Sequence, residues 1–324
     1  MTKAVRIHEP GGPEALVFED VDVGEPGPGE ARVRHSAVGL NFIDIYHRNG
    51  AYPLERLPAV LGMEAAGVVE AVGAGVAEVG AGDRVAYATP PPGAYAQARV
   101  MAADRLVRLP DDIDDRTAAA MMLKGMTAQY LLRRTHKVEP GETVLIHAAA
   151  GGMGLILCQW AKHLGALVMG TVSSDEKAAR AGAHGCDHAI VYTRRDFVEA
   201  VREITGGDGA QVIYDGVGRA TFDESLEALA MRGHLVSYGS ASGPVPPFDM
   251  ARLSAKSATL TRPVLFHYTA ARDELEETAR ELFEVVRRGI VKIEIDQTHA
   301  LEDAAAAHRE LEARRTTGST VLIP

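Results

Sequence analysis

Glu142-Thr143-Val144-Leu145-Ile146-His147-Ala148-Ala149-Ala150-Gly151-Gly152-Met153-Gly154 decides how the rest of this 324-residue chain is read. Thr143 to Ile146 is a short apolar run rich in β-branched residues, which predicts a strand. Small residues from Ala148 to Gly154 then make a tight turn. Leu155, Ile156, Gln159, Trp160, Lys162 and His163 alternate apolar and polar at helical spacing, and Gly165 stops that helix. Ala166 to Val172 is a second apolar run. Strand, turn, helix and strand within about 30 residues make one βαβ unit.

The turn has a chemical use. Gly151, Gly152 and Gly154 put no side chain between the backbone and a ligand, and the following helix aims its free N–H groups and positive dipole end at the same place. Ala149-x-Gly151-x-x-Gly154 is the dinucleotide fingerprint with alanine in place of the first glycine. Met153 lies inside it. An NAD site places Asp or Glu at the end of the second strand to hold the ribose hydroxyls. Here Val172 is followed by Ser173 and Ser174, with Lys177 close behind. Hydroxyls and an ammonium suit a phosphate dianion, so the expected cofactor is NADPH. Asp175 and Glu176 stand beside them and count the other way if either turns inward.

The length exceeds one ordinary core, so two domains are expected. Hydrophobic residues are 46% and charged residues 24%, a soluble composition. A formal net charge of −10 argues against nucleic-acid and anionic-membrane partners. No apolar run reaches membrane-spanning length, and the N-terminus has no signal-peptide core. The only cysteines, Cys158 and Cys186, make no disulfide framework, which points to the reducing cytoplasm.

Residues 1–100 are β-rich. From Glu30 to Val38, Ala31, Val33, His35 and Ala37 fall on one face and Arg32, Arg34 and Ser36 on the other. Ala65 to Val72 and Arg84 to Ala88 are further strands, and strands without helices between them predict a small antiparallel, barrel-like domain. Helical patterning runs from Asp115 through Met122 and again from Met126 to Arg134. After the opening βαβ unit, strands at Ala189 to Tyr192, Gln211 to Asp215 and Leu235 to Gly239 alternate with helices at Asp196 to Ile204 and Phe222 to Ala230. That is an α/β fold, a doubly wound parallel sheet. A short strand at Ala258 to Thr261 follows. Then come a long helix (Arg272 to Arg288), a strand (Val291 to Ile295), a helix (Leu301 to Arg314) and a strand (Thr320 to Ile323). This last part fits the alternation less well and is expected to return to the first domain.

Further motifs carry a family likeness: Gly39-Leu40-Asn41-Phe42-Ile43-Asp44, Leu61-Gly62-Met63-Glu64-Ala65-Ala66-Gly67, Gly82-Asp83-Arg84-Val85, Leu123-Lys124-Gly125-Met126-Thr127-Ala128, His147 to Gly154, and Gly318-Ser319. On these, over nearly its whole length, the chain resembles the zinc-independent quinone oxidoreductases of the medium-chain dehydrogenase/reductase superfamily, the group that includes zeta-crystallin. The resemblance implies a discontinuous GroES-like catalytic domain, residues 1–124 and 268–324, around a Rossmann cofactor-binding domain, residues 125–267. It implies a cofactor in the cleft between them, and a homodimer built by edge-strand pairing near Ala258 to Thr261.

Zinc-dependent relatives have a Cys near Asn41 and Gly-His-Glu where this chain has Gly62-Met63-Glu64. Met63 is a poor zinc ligand, and four clustered cysteines for a structural zinc are missing, so no metal is expected. A quinone needs little electrophilic help. Its reduction asks for stacked rings, excluded water and a donor to the developing phenolate. By resemblance, Asn41, Tyr46 and Tyr52 face the reacting rings. Lys124 is either a cofactor neighbour or a structural ion-pair partner, and Thr127 lies against the cofactor. Lys177 and Tyr192 hold the 2′-phosphate and adenosine, while Gly239 and Ser240 line the ribose–nicotinamide region. Val264, Leu265 and Phe266 approach the carboxamide with Arg262 nearby, and Arg314 returns from the final helix. The expected activity is NADPH-dependent quinone reduction. The alternatives are an enoyl or alkenal reductase, or an RNA-binding, crystallin-like role that keeps the nucleotide site.

Overall fold

The computed structural model describes residues 1–324. The chain forms two compact units. One comprises Met1–Met126, Thr269–Arg287 and Ile293–Pro324; the other comprises Thr127–Tyr268 and Arg288–Lys292.

The first unit runs through β1 (Thr2–Ile7), β2 (Val17–Val21), β3 (Glu30–Leu40), α1 (Phe42–Arg48), β4 (Ala59–Val60), β5 (Glu64–Val72), β6 (Arg84–Ala88), β7 (Ala98–Ala102), β8 (Val107–Arg108) and α2 (Asp115–Tyr130), within which the boundary falls. β1 pairs antiparallel with β2 and β4. β3 pairs antiparallel with both β5 and β7. Its alternation holds: Ala31, Val33, His35 and Ala37 are buried, while Arg32, Arg34 and Ser36 are not. His35 is the polar member of the buried face. Its Nδ1 lies 2.6 Å from the Ala96 carbonyl, which can only accept, so Nδ1 carries the hydrogen and Nε2 accepts from the Tyr87 hydroxyl at 2.9 Å.

The second unit contains β9 (Thr143–Ile146), α3 (Gly152–His163), β10 (Leu167–Val172), α4 (Asp175–Ala183), β11 (His188–Val191), α5 (Phe197–Ile204), β12 (Ala210–Asp215), α6 (Phe222–Ala228), β13 (Leu229–Ser237), β14 (Thr259–Thr261) and α7 (Leu265–Tyr268). The strand order is β11-β10-β9-β12-β13-β14, with every pairing parallel. This is the doubly wound dinucleotide-binding order, and it reverses direction between β9 and β12. Leu145, Met169, Ile190, Val201, Ile213, Phe222 and Leu235 are among the residues of the core beside the sheet.

The chain ends with α8 (Arg272–Arg287), β15 (Ile295–Ala300), α9 (Ala304–Glu312) and β16 (Ser319–Ile323). β16 pairs antiparallel with β3, Thr320 opposite Leu40, and parallel with β15. Leu301, Ala304, Ala307 and Leu322 join the first unit's core, so the C-terminal part does return to the first sheet.

Several boundaries differ from the sequence reading. The two helical patterns around Met122 and Met126 are one helix, α2, running into a π-helical turn at Leu131–Thr135. Gly125 sits mid-helix, where a Cβ would collide with the Leu282 side chain of α8. β13 starts at Leu229, inside the expected helix, because Ala210 of β12 pairs with it there. The segment from Val291 is not a strand before Ile295, since pairing with β16 begins at that residue. The last helix ends at Glu312, after an opening 3-10 turn at Leu301–Asp303. Arg314 lies beyond it with a left-handed φ of 56°. Helix α1 went unseen because it carries no long periodic pattern.

Burial pushes His35, His47 and His234 down to about 4 and His308 down to about 3. Each binds a proton more readily when unfolded, so the stability these groups contribute is present above their ordinary value of about 6.5 and is lost as pH falls toward the folded values. Asp44, raised by burial to about 7, acts in the opposite sense and offsets one of them. Denaturant unfolding is therefore expected to show lower stability at about pH 5 than at about pH 7. Equal stability at both would contradict these shifts.

Candidate cofactor and substrate site

The small-residue turn lies where the strand order reverses. His147 N–H donates to Tyr214 O of β12 and Ala149 N–H to Thr171 O of β10, each at 3.1 Å, so the turn is tied to strands on both sides. Ala148 takes a left-handed φ of 54°, and Gly151 N–H closes the turn on Ala148 O at 2.9 Å. No side chain caps α3 at Gly151. Its first N–H groups therefore meet no competing side-chain acceptor from the cap position. A Cβ at Gly154 would strike Ala148 O and come within 2.7 Å of the Ala149 backbone. Beneath the turn, His147 bonds Thr171 and Ser225 through its two ring nitrogens, each at 2.9 Å.

Ser173, Ser174 and Lys177 follow β10, and Tyr192 follows its parallel neighbour β11. Tyr192 N–H donates to Val172 O at 3.1 Å, and its side chain is 46% exposed. Tyr192 follows the strand rather than ending it, since β11 stops at Val191. The Ser174 hydroxyl caps α4 by accepting from Lys177 N–H. Asp175 does not stand over the site as an isolated carboxylate: it pairs with Arg194 on the surface.

Across the same sheet, Asp215 was not singled out from the sequence, yet it builds the next loop. It is fully buried and accepts from Val217 N–H, Gly218 N–H and the Thr221 hydroxyl. Its carbonyl accepts from Tyr238 N–H at 2.9 Å, which fixes the approach to Gly239 and Ser240. Arg262 clamps that loop, donating to Ser237 O and Gly239 O at 2.8 Å and to Ser240 Oγ at 3.1 Å. Val264 is 40% exposed ahead of α7, Phe266 is half-buried, and Leu265 is buried at 6%. Thr127 is nearly buried on α2.

In the first unit, Asn41 stands at the N-terminus of α1, only 5% exposed. Its side-chain amide donates to Glu64 Oε1 at 2.9 Å. Glu64 is fully buried; it also accepts from Leu123 N–H and stands 3.4 Å from Lys124 Nζ. Lys124 is thus an ion-pair partner, one of the two roles the sequence allowed. Gly39 belongs to this arrangement, because a Cβ there would strike both Glu64 and Ala119 O. The Tyr46 and Tyr52 rings lie 5.0 Å apart, and Tyr52 N–H donates to Tyr46 O at 2.9 Å. Arg314 is exposed just past α9.

The donor set does not suit zinc. Met63 is buried beside Glu64, whose oxygens are already engaged, and no group of three or more His, Cys, Asp or Glu gathers as metal ligands. His184 and His188 are spaced four apart. They lie beyond the end of α4 and in β11, not on one helix face, and His184 Nδ1 is bonded to Arg180 O.

Parallel sheet, small-residue turn and zinc-poor GroES-like unit together define a dinucleotide-dependent oxidoreductase fold. Two family descriptions match: Alcohol dehydrogenase GroES-like domain over residues 27–111, and Zinc-binding dehydrogenase over 152–284. The chain is 53% identical to a quinone oxidoreductase of Pseudomonas aeruginosa, covering 100% of both. It is 50% identical to a 2-haloacrylate reductase of Burkholderia, covering 100% of this chain and 99% of the relative. The structure of an Escherichia coli quinone oxidoreductase complexed with NADPH superposes with a TM-score of 0.97 at 45% identity, covering 99% of this chain and 100% of that one. The chain belongs to the zinc-independent quinone oxidoreductase family of the medium-chain dehydrogenase/reductase superfamily.

The replacement Gly154→Ala puts a methyl group against rigid backbone, an overpacking that costs about 1–3 kcal/mol. Expected results are a lower unfolding midpoint and loss of the thermal stabilisation given by a reduced dinucleotide. Unchanged nucleotide stabilisation would show that the turn is not the phosphate cradle.

Proposed function

We propose that this chain is an NADPH-dependent quinone reductase that passes a hydride from nicotinamide to a quinone without a metal. The observation that carries the reading is the uncapped α3 N-terminus over a turn with no room for a side chain at Gly154. Full-length identity to quinone oxidoreductases supports it. When bound, the cofactor supplies the hydride. The N–H groups of Gly152, Met153 and Gly154 hold the pyrophosphate. Ser173, Ser174 and Lys177 receive the 2′-phosphate, with Tyr192 beside the adenosine. The loop at Gly239 and Ser240, Thr127, and Val264 to Phe266 orient the nicotinamide end, with Arg314 as a further cation and Lys124 steadying Asn41 through Glu64.

The Asn41 amide has a second hydrogen beyond the one given to Glu64, and this is offered to the quinone oxygen as negative charge develops. Tyr46 and Tyr52 provide a flat wall and phenolic donors. On this reading residues 125–267 are the cofactor-binding domain, and 1–124 with 268–324 the catalytic domain. The proposal extends to a homodimer through β14, which lies at an edge of its sheet, and to a cytoplasmic enzyme whose two cysteines stay reduced.

Purified protein with NADPH and benzoquinone should show loss of reduced-nicotinamide absorbance well above the uncatalysed rate, and slower loss with 2-chloroacrylate. No enzyme-dependent loss with benzoquinone would defeat the proposal. Lys177→Ala is expected to raise KM for NADPH about tenfold, as for loss of one charge-assisted hydrogen bond, and to leave KM for NADH nearly unchanged. Equal effects on both coenzymes would remove Lys177 from the phosphate site.

A further inference from the structure

Asp44 lies three residues after Asn41, in the first turn of α1, and is wholly buried. Its Oδ2 accepts from Asn41 N–H at 2.8 Å and from the Tyr95 hydroxyl at 3.1 Å. Its Oδ1 is buried with no hydrogen-bond partner. Behind Tyr95 the bonding continues. His308 Nε2 is 3.0 Å from the Tyr95 oxygen, and His308 Nδ1 is 3.1 Å from Arg48 Nη1. Arg48 Nη2 meets Glu312 Oε1 at 2.6 Å. Arg48 and His308 are buried, at 2% and 0%, whereas Glu312 is 35% exposed.

The direction of this chain is set by its one obligatory donor. A guanidinium cannot accept, so His308 Nδ1 must accept from Arg48. Nε2 then carries the ring hydrogen and donates to the Tyr95 oxygen, and the Tyr95 hydroxyl is left to donate to Asp44. Burial and the nearby Arg48 charge lower His308 to about 3, and burial raises Tyr95 well above its ordinary range, so both keep the neutral forms the chain requires. The other charges facing Asp44 are Glu64 of β5, which opposes its ionisation, and Lys124 of α2, which favours it. Asn41 is thus held twice: by Glu64 at its side-chain amide and by Asp44 at its backbone N–H.

We propose that Asp44 is a positioning residue for Asn41, its carboxylate oriented by a one-way line of donors that starts at Arg48, itself paired with Glu312, and runs through His308 and Tyr95. The proposal rests on Asn41 belonging to the quinone site. Protonation of Asp44 weakens its grip on the Asn41 N–H, because a neutral carboxyl is a poorer acceptor than a carboxylate. Burial is the largest influence on this carboxyl and brings its titration to about 7, so activity should change across the neutral range.

The test is the pH profile of kcat with NADPH and benzoquinone for the native protein, Asp44→Asn and Tyr95→Phe, with the unfolding midpoint recorded at each pH. The native profile should fall on the acid side near neutrality. Asp44→Asn should be flat there and about tenfold slower at high pH, the difference between a charged and a neutral hydrogen bond. Tyr95→Phe, which removes a donor to the carboxylate, should move the fall to higher pH while leaving the high-pH plateau largely intact. A native-like fall in Asp44→Asn, or an unmoved one in folded Tyr95→Phe, would overturn the proposal. If Asp44→Asn fails to fold, Tyr95→Phe decides alone. Asn41→Ala separates the two readings: full activity in that variant would reject Asn41 as a site residue, whereas loss of activity with an unmoved Tyr95→Phe profile would reject the relay only.

Discussion

The second unit depends on how closely the start of α3 approaches the ends of β9 and β10. Backbone meets backbone at Gly154, and a Cβ at Gly170 would fall 2.5 Å from the Ala149 methyl and 2.9 Å from Cys186 Sγ. Two layers therefore require small residues at the same place. The nucleotide turn is shaped from above by α3 and from below by β10. Gly151 at the N-cap has no side chain, so this helix N-terminus is also left without a side-chain cap.

The first unit is organised differently, around buried charge. Glu64, fully buried, gathers the Asn41 amide, the Leu123 N–H and the Lys124 ammonium. Removing one partner of such a pair leaves an uncompensated charge, at a cost of about 3–5 kcal/mol. That cost explains why Gly39 has no side chain: the carboxylate needs the space. Asp44, a few residues away, completes a polar core that binds α1 to α9 through Tyr95, His308 and Arg48. The segment carrying Asn41 is thereby held from both ends of the chain.

The local readings that survived were those whose signal is periodic or punctual. The β3 alternation, the βαβ unit and the α5 start at Asp196 all express short-range chemistry, and the structure has them within a residue or two. Readings that failed depended on distant partners. α2 looked interrupted between Met122 and Met126, where nothing nearby says that Leu282 packs against Gly125. β13 looked shorter because its first residues are strand only through β12. Arg314 looked helical, but α9 closes at Ala313 and the backbone turns left-handed.

The order of apolar runs, the glycines of the turn and the serines after β10 are local properties, and from them alone the chain was legible as a dinucleotide-binding α/β protein. Tertiary structure decided what no spacing encodes. Glu64 and Lys124, 60 residues apart, become one ion pair. Arg48 and His308, 260 apart, become neighbours and set the tautomer of a buried ring. Asp175 and Arg194, 19 residues apart, become a surface ion pair. The physical reason is the same throughout: propensity and pattern are written in the nearest few residues, whereas the charge state and partner of a buried polar group depend on whichever distant segment excludes its water.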